Sequence, residues 1–416
     1  MSMIDIVKTM SQEDALSMIA SSGMKEYGVN HTTVAENIAA VLKKRRAGSR
    51  SEKEAARAAA PMTVVAALNN SDTTGILLDV LIKFPEKVMK GISILAYAIG
   101  AEEKFLQLPE YAKALAEEPS IKAAAQAAGV TVTVGLVDVR ANAYNVLTHI
   151  ITMYELPEVI EDNYVPGIYV SVNDGELIKY SNEKTVREVL EAAGSDVSEV
   201  KAYETGYVFA NKEVESKKLE DAQINNGVLR VLSSKNCMIQ ETQKRVTASR
   251  QQSCGKCVFC REGLNQLQGM LSDIKSGKGK MEYMDIIREI GSAMTFSTPC
   301  SLGQESAKAA LSSIALYANE YEEHIKKKSC AAGLCFNKLV IYIDPYNCEG
   351  CEECADVCPA DCIEGKKGFI HMIDEFDCTQ CGKCIEVCEC GAIIQTNGRL
   401  PKLPDRLTKV GRFKKH

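Results

Sequence analysis

The sequence predicts a chain of several domains with mixed α/β structure, and three observations lead to this prediction. The chain has 416 residues, whereas a domain usually holds roughly 100 to 200. Apolar residues make up 46% and charged residues 25%, as in ordinary globular proteins. Short β-branched segments alternate with helical patterns in the first half, and all 17 cysteines lie between residues 237 and 390. We therefore expect the second half to carry the distinctive chemistry.

Charge and hydropathy argue against two classes of function. The chain has 49 basic and 55 acidic residues, and its net charge of -6 gives no electrostatic reason to bind nucleic acid. The longest apolar run, at 91–101, is far shorter than the roughly 20 residues that span a bilayer. The first residues lack the basic and apolar segments of a secretory signal. The sequence thus predicts a cytoplasmic protein without a membrane span.

The N-terminal domain is expected to be an α/β domain over residues 1–160. Ser11 and Thr33 each precede an acidic residue by three positions, a pattern in which the side-chain oxygen caps a helix. Two segments, 63–68 and 130–137, are rich in β-branched residues and bounded by polar residues or glycine. This composition predicts short buried strands.

Local signals are clearest in residues 166–235, which are expected to form a small β-rich domain. The turn sequence Asn173-Asp174-Gly175 predicts a hairpin. A helix should begin after Thr185, which has glutamate three residues later, and end at Gly194. The segment 228–232 is typical of a final strand. Helical patterns then continue through residues 240–328, which predicts a helical bundle.

The cysteine pattern favours metal–sulfur chemistry over disulfides. An odd cysteine count without a secretory signal indicates a reducing compartment. A CxxCxxCxxxC run begins at Cys348 and again at Cys378, 30 residues later. This is the spacing of two-cluster bacterial ferredoxins, in which the fourth cysteine of each run binds the other cluster. Zinc ribbons, the weaker alternative, instead use two CxxC pairs.

We therefore expect a ferredoxin domain with two 4Fe-4S clusters over residues 338–400, followed by a basic tail at 401–416. The ligand sets are Cys348, Cys351, Cys354 and Cys388 for one cluster, and Cys378, Cys381, Cys384 and Cys358 for the other.

A third triple-cysteine motif lies inside the predicted bundle. It consists of Cys254, Cys257 and Cys260 and precedes a helical pattern. A fourth ligand is needed, and Cys300 is the candidate because it stands in a predicted turn after a helix. The alternative is that Cys300 is a buried thiol, since free cysteine is among the most often buried residues. The sequence thus predicts a third 4Fe-4S cluster.

These motifs resemble a known family. The sequences CGKCVFCREG at 254–263 and TPCSLGQ at 298–304 resemble elements of the NADH-binding flavoprotein subunit of respiratory complex I. The appended ferredoxin motifs, preceded by SCAAGLC at 329–335, are similar to the β subunit of electron-bifurcating hydrogenases and of NAD-linked formate dehydrogenases. The resemblance implies a complex I flavoprotein-like first domain and a β-grasp domain of the soluble-ligand-binding (SLBB-like) type at 166–235. It also implies partners, namely a 2Fe-2S thioredoxin-like subunit and a flavin- or metal-containing catalytic subunit.

The flavin-binding loops that the resemblance implies are not recognisable in this sequence. The family binds FMN with a glycine-rich loop whose backbone N–H groups approach the phosphate. The corresponding stretch here, 21–28, contains Glu26, which would add negative charge beside a phosphate. A later glycine-rich loop is reduced to Gly129 and Gly135. We therefore expect the first domain to keep its fold without binding FMN or NAD.

Five cysteines remain once the three clusters are assigned. A zinc site is one hypothesis for three of them and a histidine, because structural zinc takes four nitrogen or sulfur ligands. Cys390 is expected to be a packing residue, and the alternative for the whole group is buried thiols with a histidine that binds nothing. The candidate ligands are Cys237, His324, Cys335 (or Cys330) and Cys362.

The resulting functional hypothesis is a non-catalytic electron relay within a larger anaerobic oxidoreductase, because 4Fe-4S clusters carry single electrons. No catalytic residue is predicted. One alternative is an FMN-containing NADH dehydrogenase (diaphorase) subunit of a bifurcating hydrogenase or formate dehydrogenase, with a diverged flavin loop. Another is a free ferredoxin-like carrier, which leaves the residues outside the ferredoxin domain without a purpose.

Overall fold

The computed structural model of the protein divides the chain into two compact units, Met1–Ala332 and Gly333–His416. The described residues are 9–28, 32–47, 51–336, 340–374, 377–396 and 400–413. Among these residues, no helix is long and apolar enough to cross a bilayer.

A four-stranded parallel sheet forms the centre of the N-terminal part. Its strands are β1 (Thr63–Ala67), β2 (Glu103–Leu108), β3 (Thr131–Val134) and β4 (Val146–His149). They lie in the order β3-β2-β1-β4, and every neighbouring pair is parallel. The strand order of the sheet reverses between β1 and β4, and open α/β sheets bind ligands at the carboxyl ends of strands at such a point.

Both strands predicted in this domain are present. β1 is buried along its whole length, as expected from its β-branched sequence. β3 is shorter than the predicted segment 130–137 because the chain turns away at Gly135, whose φ of 122° favours glycine.

Helices surround this sheet, and two of them begin as the sequence predicts. The hydroxyl groups of Ser11 and Thr33 each accept a hydrogen bond from a backbone N–H three residues later, and the acidic side chain there accepts one in return. Both capping boxes are therefore confirmed. The helices are Gln12–Ser21, Val34–Arg46, Glu52–Ala59, Asp79–Lys83, Pro85–Ile99, Pro119–Ala128 and Ile150–Ile160.

A five-stranded sheet follows. Its strands are β5 (Ile168–Val172), β6 (Leu177–Tyr180), β7 (Ala202–Thr205), β8 (Val208–Ala210) and β9 (Val228–Leu232). They lie in the order β6-β5-β9-β7-β8. At the predicted turn, Asn173 and Asp174 have φ values of 50° and 60°, as a tight type I′ hairpin requires. The helix Val186–Ala192 is capped by Thr185 and ends before Gly194, whose φ is 65°. These local predictions are confirmed, whereas the β-grasp class stays a prediction.

The rest of the first unit is helical, as the sequence predicts. In the helix Val258–Lys275, the residues Leu264, Leu267, Leu271 and Ile274 are buried at the three- and four-residue spacing of a core-facing stripe. A π-helical turn, Glu323–Lys327, ends the bundle. The helices are Met238–Gln252, Val258–Lys275, Glu282–Ser297, Ser301–Glu305 and Lys308–Glu322.

The second unit is built from two similar halves. The short helices Glu353–Asp356 and Lys383–Glu386 stand at the same position in the two cysteine runs. The residues before them, Glu352 and Gly382, have φ values of 81° and 79°. The strands are β10 (Val340–Ile343), β11 (Ile363–Glu364), β12 (Met372–Ile373) and β13 (Ile393–Thr396), and β10 pairs with β13 and β11 with β12. The duplication predicted from the spacing is thus visible in the backbone.

Candidate functional site

The first triple-cysteine motif lies at the start of a helix. Cys257 is the N-cap of Val258–Lys275, Cys260 stands in its first turn, and Cys300 is the N-cap of Ser301–Glu305. Burial raises the pKa of the Cys260 thiol, and the three other cysteines of the predicted set lie near enough to raise it further. The structure therefore brings together the four cysteines Cys254, Cys257, Cys260 and Cys300.

Both segments that carry these cysteines contact the loop after β1. The side-chain amide of Gln252 donates hydrogen bonds to the carbonyl oxygens of Asn70 and Asp72, at 2.8 and 2.9 Å. The backbone N–H of Ser71 donates to the hydroxyl oxygen of Ser301 at 3.3 Å. The four cysteines are thus held at the carboxyl edge of the parallel sheet.

A cavity of about 430 Å³ opens at this edge. The ends of β1 and β4 line it, from Ala67 to Asn70 and from Leu147 to His149, and the segment that contains Cys300 lines it as well. The cavity therefore occupies the point where the strand order reverses. The sequence did not predict it, because the sequence does not reveal which strands are neighbours.

The wall of this cavity contains a buried carboxyl group. Oxygen Oε2 of Glu26 accepts hydrogen bonds from the backbone N–H of His149 and from the hydroxyl groups of Thr148 and Thr152, at 3.0 to 3.2 Å. The amide of Asn37 donates to its other oxygen at 3.3 Å. Burial raises the pKa of Glu26, and these hydrogen bonds oppose that effect only in part.

His149 is a second buried titratable group in the same wall. Its Nδ1 atom accepts a hydrogen bond from the N–H of Ile151 at 3.1 Å, so the neutral ring carries its proton on Nε2. Nε2 is buried and has no hydrogen-bond partner within the described part of the chain. Burial lowers the pKa of His149 to about 3, so the ring is neutral near neutral pH.

In the second unit, thiols from both cysteine runs line one small cavity. Burial raises the pKa of Cys384, and the nearby thiols of Cys378, Cys381 and Cys358 raise it further. Cys358 of the first run therefore lies with the second run, as the crossed ligand pattern expects. The cysteines that line the cavity are Cys358, Cys362, Cys378, Cys381 and Cys384.

Three cysteines of the first run also lie close together. Burial raises the pKa of Cys354 to about 12, and the thiols of Cys351 and Cys348 contribute. Cys388, the fourth predicted ligand of this cluster, lies beside Cys390, with 3.6 Å between the two Sγ atoms.

A separate group of potential metal ligands lies in the first unit. The ligand atoms of Cys237, His324 and Cys330 all lie within 4.8 Å of one another. His324 Nε2 is 3.3 Å from the sulfur of Cys237, and its Nδ1 is 2.7 Å from the carbonyl oxygen of Glu320. The carbonyl oxygen can only accept a hydrogen bond, so Nδ1 carries the proton and donates. This leaves Nε2 unprotonated in the neutral ring and able to bind a metal.

Two more cysteines are candidate zinc ligands in the sequence. Cys335 is buried and follows Cys330 by five residues. Cys362 lies among the ferredoxin cysteines, with its sulfur 3.4 Å from that of Cys358. Cys330 therefore accompanies Cys237 and His324, although sequence reasoning named it only as an alternate ligand. Its closeness to His324 in the sequence was the available signal.

Comparisons with known proteins agree with the motifs. Residues 241–324 match the family model of the NADH-ubiquinone oxidoreductase-F iron-sulfur binding region, and residues 340–389 match that of the 4Fe-4S dicluster domain. The resemblance to the complex I flavoprotein subunits is confirmed. The chain thus contains two 4Fe-4S binding regions of types found in oxidoreductases.

Individual relatives share parts of the chain. A component of NADP-reducing hydrogenase, HndC of Solidesulfovibrio fructosivorans, is 32% identical over 196 residues, which is 44% of this chain and 40% of the relative. The F component of NADH-quinone oxidoreductase from Streptomyces coelicolor is 31% identical over 109 residues, which is 26% of this chain and 24% of the relative. The chain therefore spans less than half the length of these curated relatives.

A solved structure shows the same fold over a longer stretch. The crystal structure of an NAD⁺-reducing [NiFe]-hydrogenase in the H₂-reduced state has a TM-score of 0.61 and 16% identity, and the match covers 76% of this chain and 63% of that chain. At this identity the likeness concerns the mixed α/β fold alone.

Proposed function

We propose that this chain is an iron–sulfur relay subunit of a multi-subunit oxidoreductase. It passes single electrons between partner subunits through three 4Fe-4S clusters and has no flavin of its own. The observation that carries the proposal is the grouping of eleven of the twelve predicted ligands, all but Cys388, around three centres, one in the helical bundle and two in the ferredoxin-like unit. The partners are a 2Fe-2S thioredoxin-like subunit and a subunit with a catalytic flavin or metal.

The donor chemistry of each centre fits an iron–sulfur cluster. Such clusters are held by four thiolates and carry one electron at a time. The bundle supplies Cys254, Cys257, Cys260 and Cys300, which the loop after β1 fixes in place. The ferredoxin-like unit supplies two sets. Cys358 lies with the cysteines of the other run, and we assign Cys388 to the first run because both runs have the same spacing.

The cavity beside Cys300 does not fit the FMN that the resemblance implies. Glu26 occupies the wall as a buried carboxyl group and takes up the nearby hydroxyl and N–H donors. A Cβ atom on Gly28 would lie 2.0 Å from the amide nitrogen of Asn69, so the Asn69 side chain covers the glycine face that a phosphate would approach. Among the described residues that line the cavity, none is lysine or arginine. A phosphate there would meet no compensating charge.

One observation favours the FMN-containing NADH dehydrogenase as a second candidate function. The cavity lies at the ligand-binding edge of the sheet and reaches a cluster cysteine, Cys300. A flavin bound there would be next to its electron acceptor. The NADH-quinone oxidoreductase relative from Streptomyces coelicolor, however, matches only 26% of this chain. The free-carrier alternative has no such support.

Zinc is the proposed occupant of the separate group of ligands. Cys237 and His324 are fully buried, and with Cys330 they supply three of the four nitrogen and sulfur ligands of a structural zinc site. We propose Cys335 as the fourth, because it follows Cys330 closely in the sequence. Cys362 stays with the ferredoxin cysteines.

Anaerobic purification of the full-length chain tests the proposed function. We expect about 12 iron atoms per chain, since three clusters contain four each, and no flavin in the supernatant after denaturation. Stoichiometric FMN together with NADH-dependent dye reduction would overturn the relay proposal and support the NADH dehydrogenase candidate. A native complex isolated with this chain identifies the partners, and a free monomer that shuttles electrons would overturn the subunit proposal.

A further inference from the structure

We propose that Cys362 is a non-ligand thiol that raises the reduction potential of the cluster bound by Cys378, Cys381, Cys384 and Cys358. The two clusters of the ferredoxin-like unit then differ in potential, and the electron resides preferentially on the one beside Cys362. This inference rests on the proposed function, because it requires that both clusters form.

The internal duplication locates the difference between the two halves. Cys362 follows Cys358 by four residues, and the matching residue after Cys388 is Ala392. Conversely, Cys390 follows Cys388 by two residues, where the first half has Ala360. Each half therefore carries one additional thiol, but at a different position.

The backbone is the same at Cys362 and Ala392. The N–H of Asp374, at the start of the second run, donates to the carbonyl oxygen of Cys362 at 2.8 Å. The N–H of Asp344, at the start of the first run, donates to the carbonyl oxygen of Ala392 at 2.7 Å. Both residues are buried. The principal difference at this position is thus one sulfur atom.

That sulfur atom faces the cluster-binding cysteines. Cys362 lines the small cavity that the four predicted ligands also line, and its Sγ atom is 3.4 Å from Sγ of Cys358. Cys390 also touches a predicted ligand, Cys388, but it is only partly buried. The Cys362 thiol therefore acts in surroundings with less water than those of Cys390.

A thiol in this position changes the potential through hydrogen bonding. An S–H group is a weak hydrogen-bond donor. The sulfur atoms of a cluster are hydrogen-bond acceptors, and their negative charge increases on reduction. A donor consequently stabilises the reduced state more than the oxidised state, and the effect is larger where the dielectric is low. Cys362 need not be a ligand, because the crossed pattern already supplies four cysteines.

The test is a redox titration of the full-length chain, followed by electron paramagnetic resonance. In Cys362→Ala we expect the wild-type iron content and a more negative midpoint for one ferredoxin-like cluster. A tenfold decrease in the equilibrium constant for reduction of this cluster corresponds to a midpoint shift of about 59 mV for one electron. Cys362→Ser keeps a donor and should retain most of the wild-type potential, which separates hydrogen bonding from side-chain volume.

Two matched variants use the other half of the unit. Ala392→Cys should make the midpoint potential of the first-run cluster more positive. Cys390→Ala should change the midpoint potential of that same cluster only slightly, by less than Cys362→Ala changes that of the second-run cluster. Unchanged midpoints in Cys362→Ala would overturn the inference. Loss of about four iron atoms from that variant would also overturn it, because Cys362 would then be a ligand. Absence of the clusters from the wild-type chain would instead refute the proposed function.

Discussion

The Nζ atom of Lys256 lies 2.8 Å from a carboxylate oxygen of Asp138. Lys256 belongs to the loop between the first two cysteines of the bundle motif, and Asp138 belongs to the loop after β3. A hydrogen bond from Lys256 contributes most to lowering the pKa of Asp138 to about 2. The ion pair joins the loop of the bundle cysteines to the sheet edge. The Asp138 carboxylate also cancels part of the positive charge that Lys256 would present to a bound cluster.

Replacement of Asp138 by asparagine should therefore raise the potential of the bundle cluster. The Lys256 charge would lose its partner and stabilise the more negative, reduced cluster. Both side chains are substantially exposed, so we expect less than a tenfold change in the reduction equilibrium, and less still at high salt. The measurement is a redox titration at two salt concentrations. Lys256→Gln should shift the midpoint the other way, and a shift of the same sign would contradict the charge argument.

Replacement of Cys300 by alanine should remove the bundle cluster alone. Cys300 is the only one of the four proposed ligands outside the motif 254–260, and a cluster with three thiolates is poorly held. We expect iron to fall from about 12 to about 8 atoms per chain, with the ferredoxin-like signals retained. Ser297→Ala, at an exposed position three residues earlier, is the control and should keep all iron. Full iron content in the Cys300 variant would remove this residue from the ligand set.

Metal analysis distinguishes Cys330 from Cys362 as a ligand of the zinc site. We expect about one zinc ion per chain, which Cys237→Ala and Cys330→Ala should lose without losing iron, because four ligands complete a structural zinc site. Cys362→Ala should keep the zinc, since Cys362 lies with the ferredoxin cysteines. Emission spectrometry of the purified variants measures both metals. Zinc lost from the Cys362 variant but kept in the Cys330 variant would reverse the assignment.

Acid should destabilise the first unit through His149. Its pKa falls from 6.5 to about 3 on burial, so below pH 6.5 the unfolded chain binds a proton that the folded chain does not. The free energy of unfolding should then decrease by up to about 1.4 kcal/mol for each pH unit between these values. His149→Asn keeps a helix-capping side chain but does not titrate. Denaturation at several pH values should show that the free energy of unfolding of this variant falls less steeply with acid than that of the wild type. If the two proteins gave parallel curves, His149 would not be the group responsible.

A glycine in the first domain should be essential to its packing. Gly91 lies where the helices Pro85–Ile99 and Ile150–Ile160 cross, and a Cβ atom there would be 1.8 Å from the carbonyl oxygen of Met153. Gly91→Ala should lower the free energy of unfolding by about 1 to 3 kcal/mol, the usual effect of overpacking. Gly269 is a helical glycine with no atom within 4 Å of an added Cβ. Gly269→Ala should be neutral or stabilising, and equal destabilisation of both variants would refute the packing argument.

Features that depend on residues close in the sequence were predictable. The capping boxes at Ser11 and Thr33 and the hairpin turn at Asn173 follow from local hydrogen bonding and from φ preferences. The three cysteine runs are equally local, because each cluster takes three of its four ligands from one tight loop.

Features that depend on distant segments were not predictable. The cavity beside Cys300 exists because β1 pairs with β4 and because the loop after β1 contacts Ser301. Neither pairing has a sequence pattern. The surroundings of Cys362 and Cys330 were missed for the same reason, since spacing alone does not show which cysteines share a pocket. The SLBB-like class and the domain boundaries remain predictions.

The matching backbone hydrogen bonds at Cys362 and Ala392 have an evolutionary consequence. After a duplication, twin centres are interchangeable and give an electron no preferred direction. The backbone of both halves accommodates a small side chain at this position. A single point mutation there can therefore make the two clusters different without altering the fold. Directional flow can thus arise early in the history of a duplicated protein, before any change in its architecture.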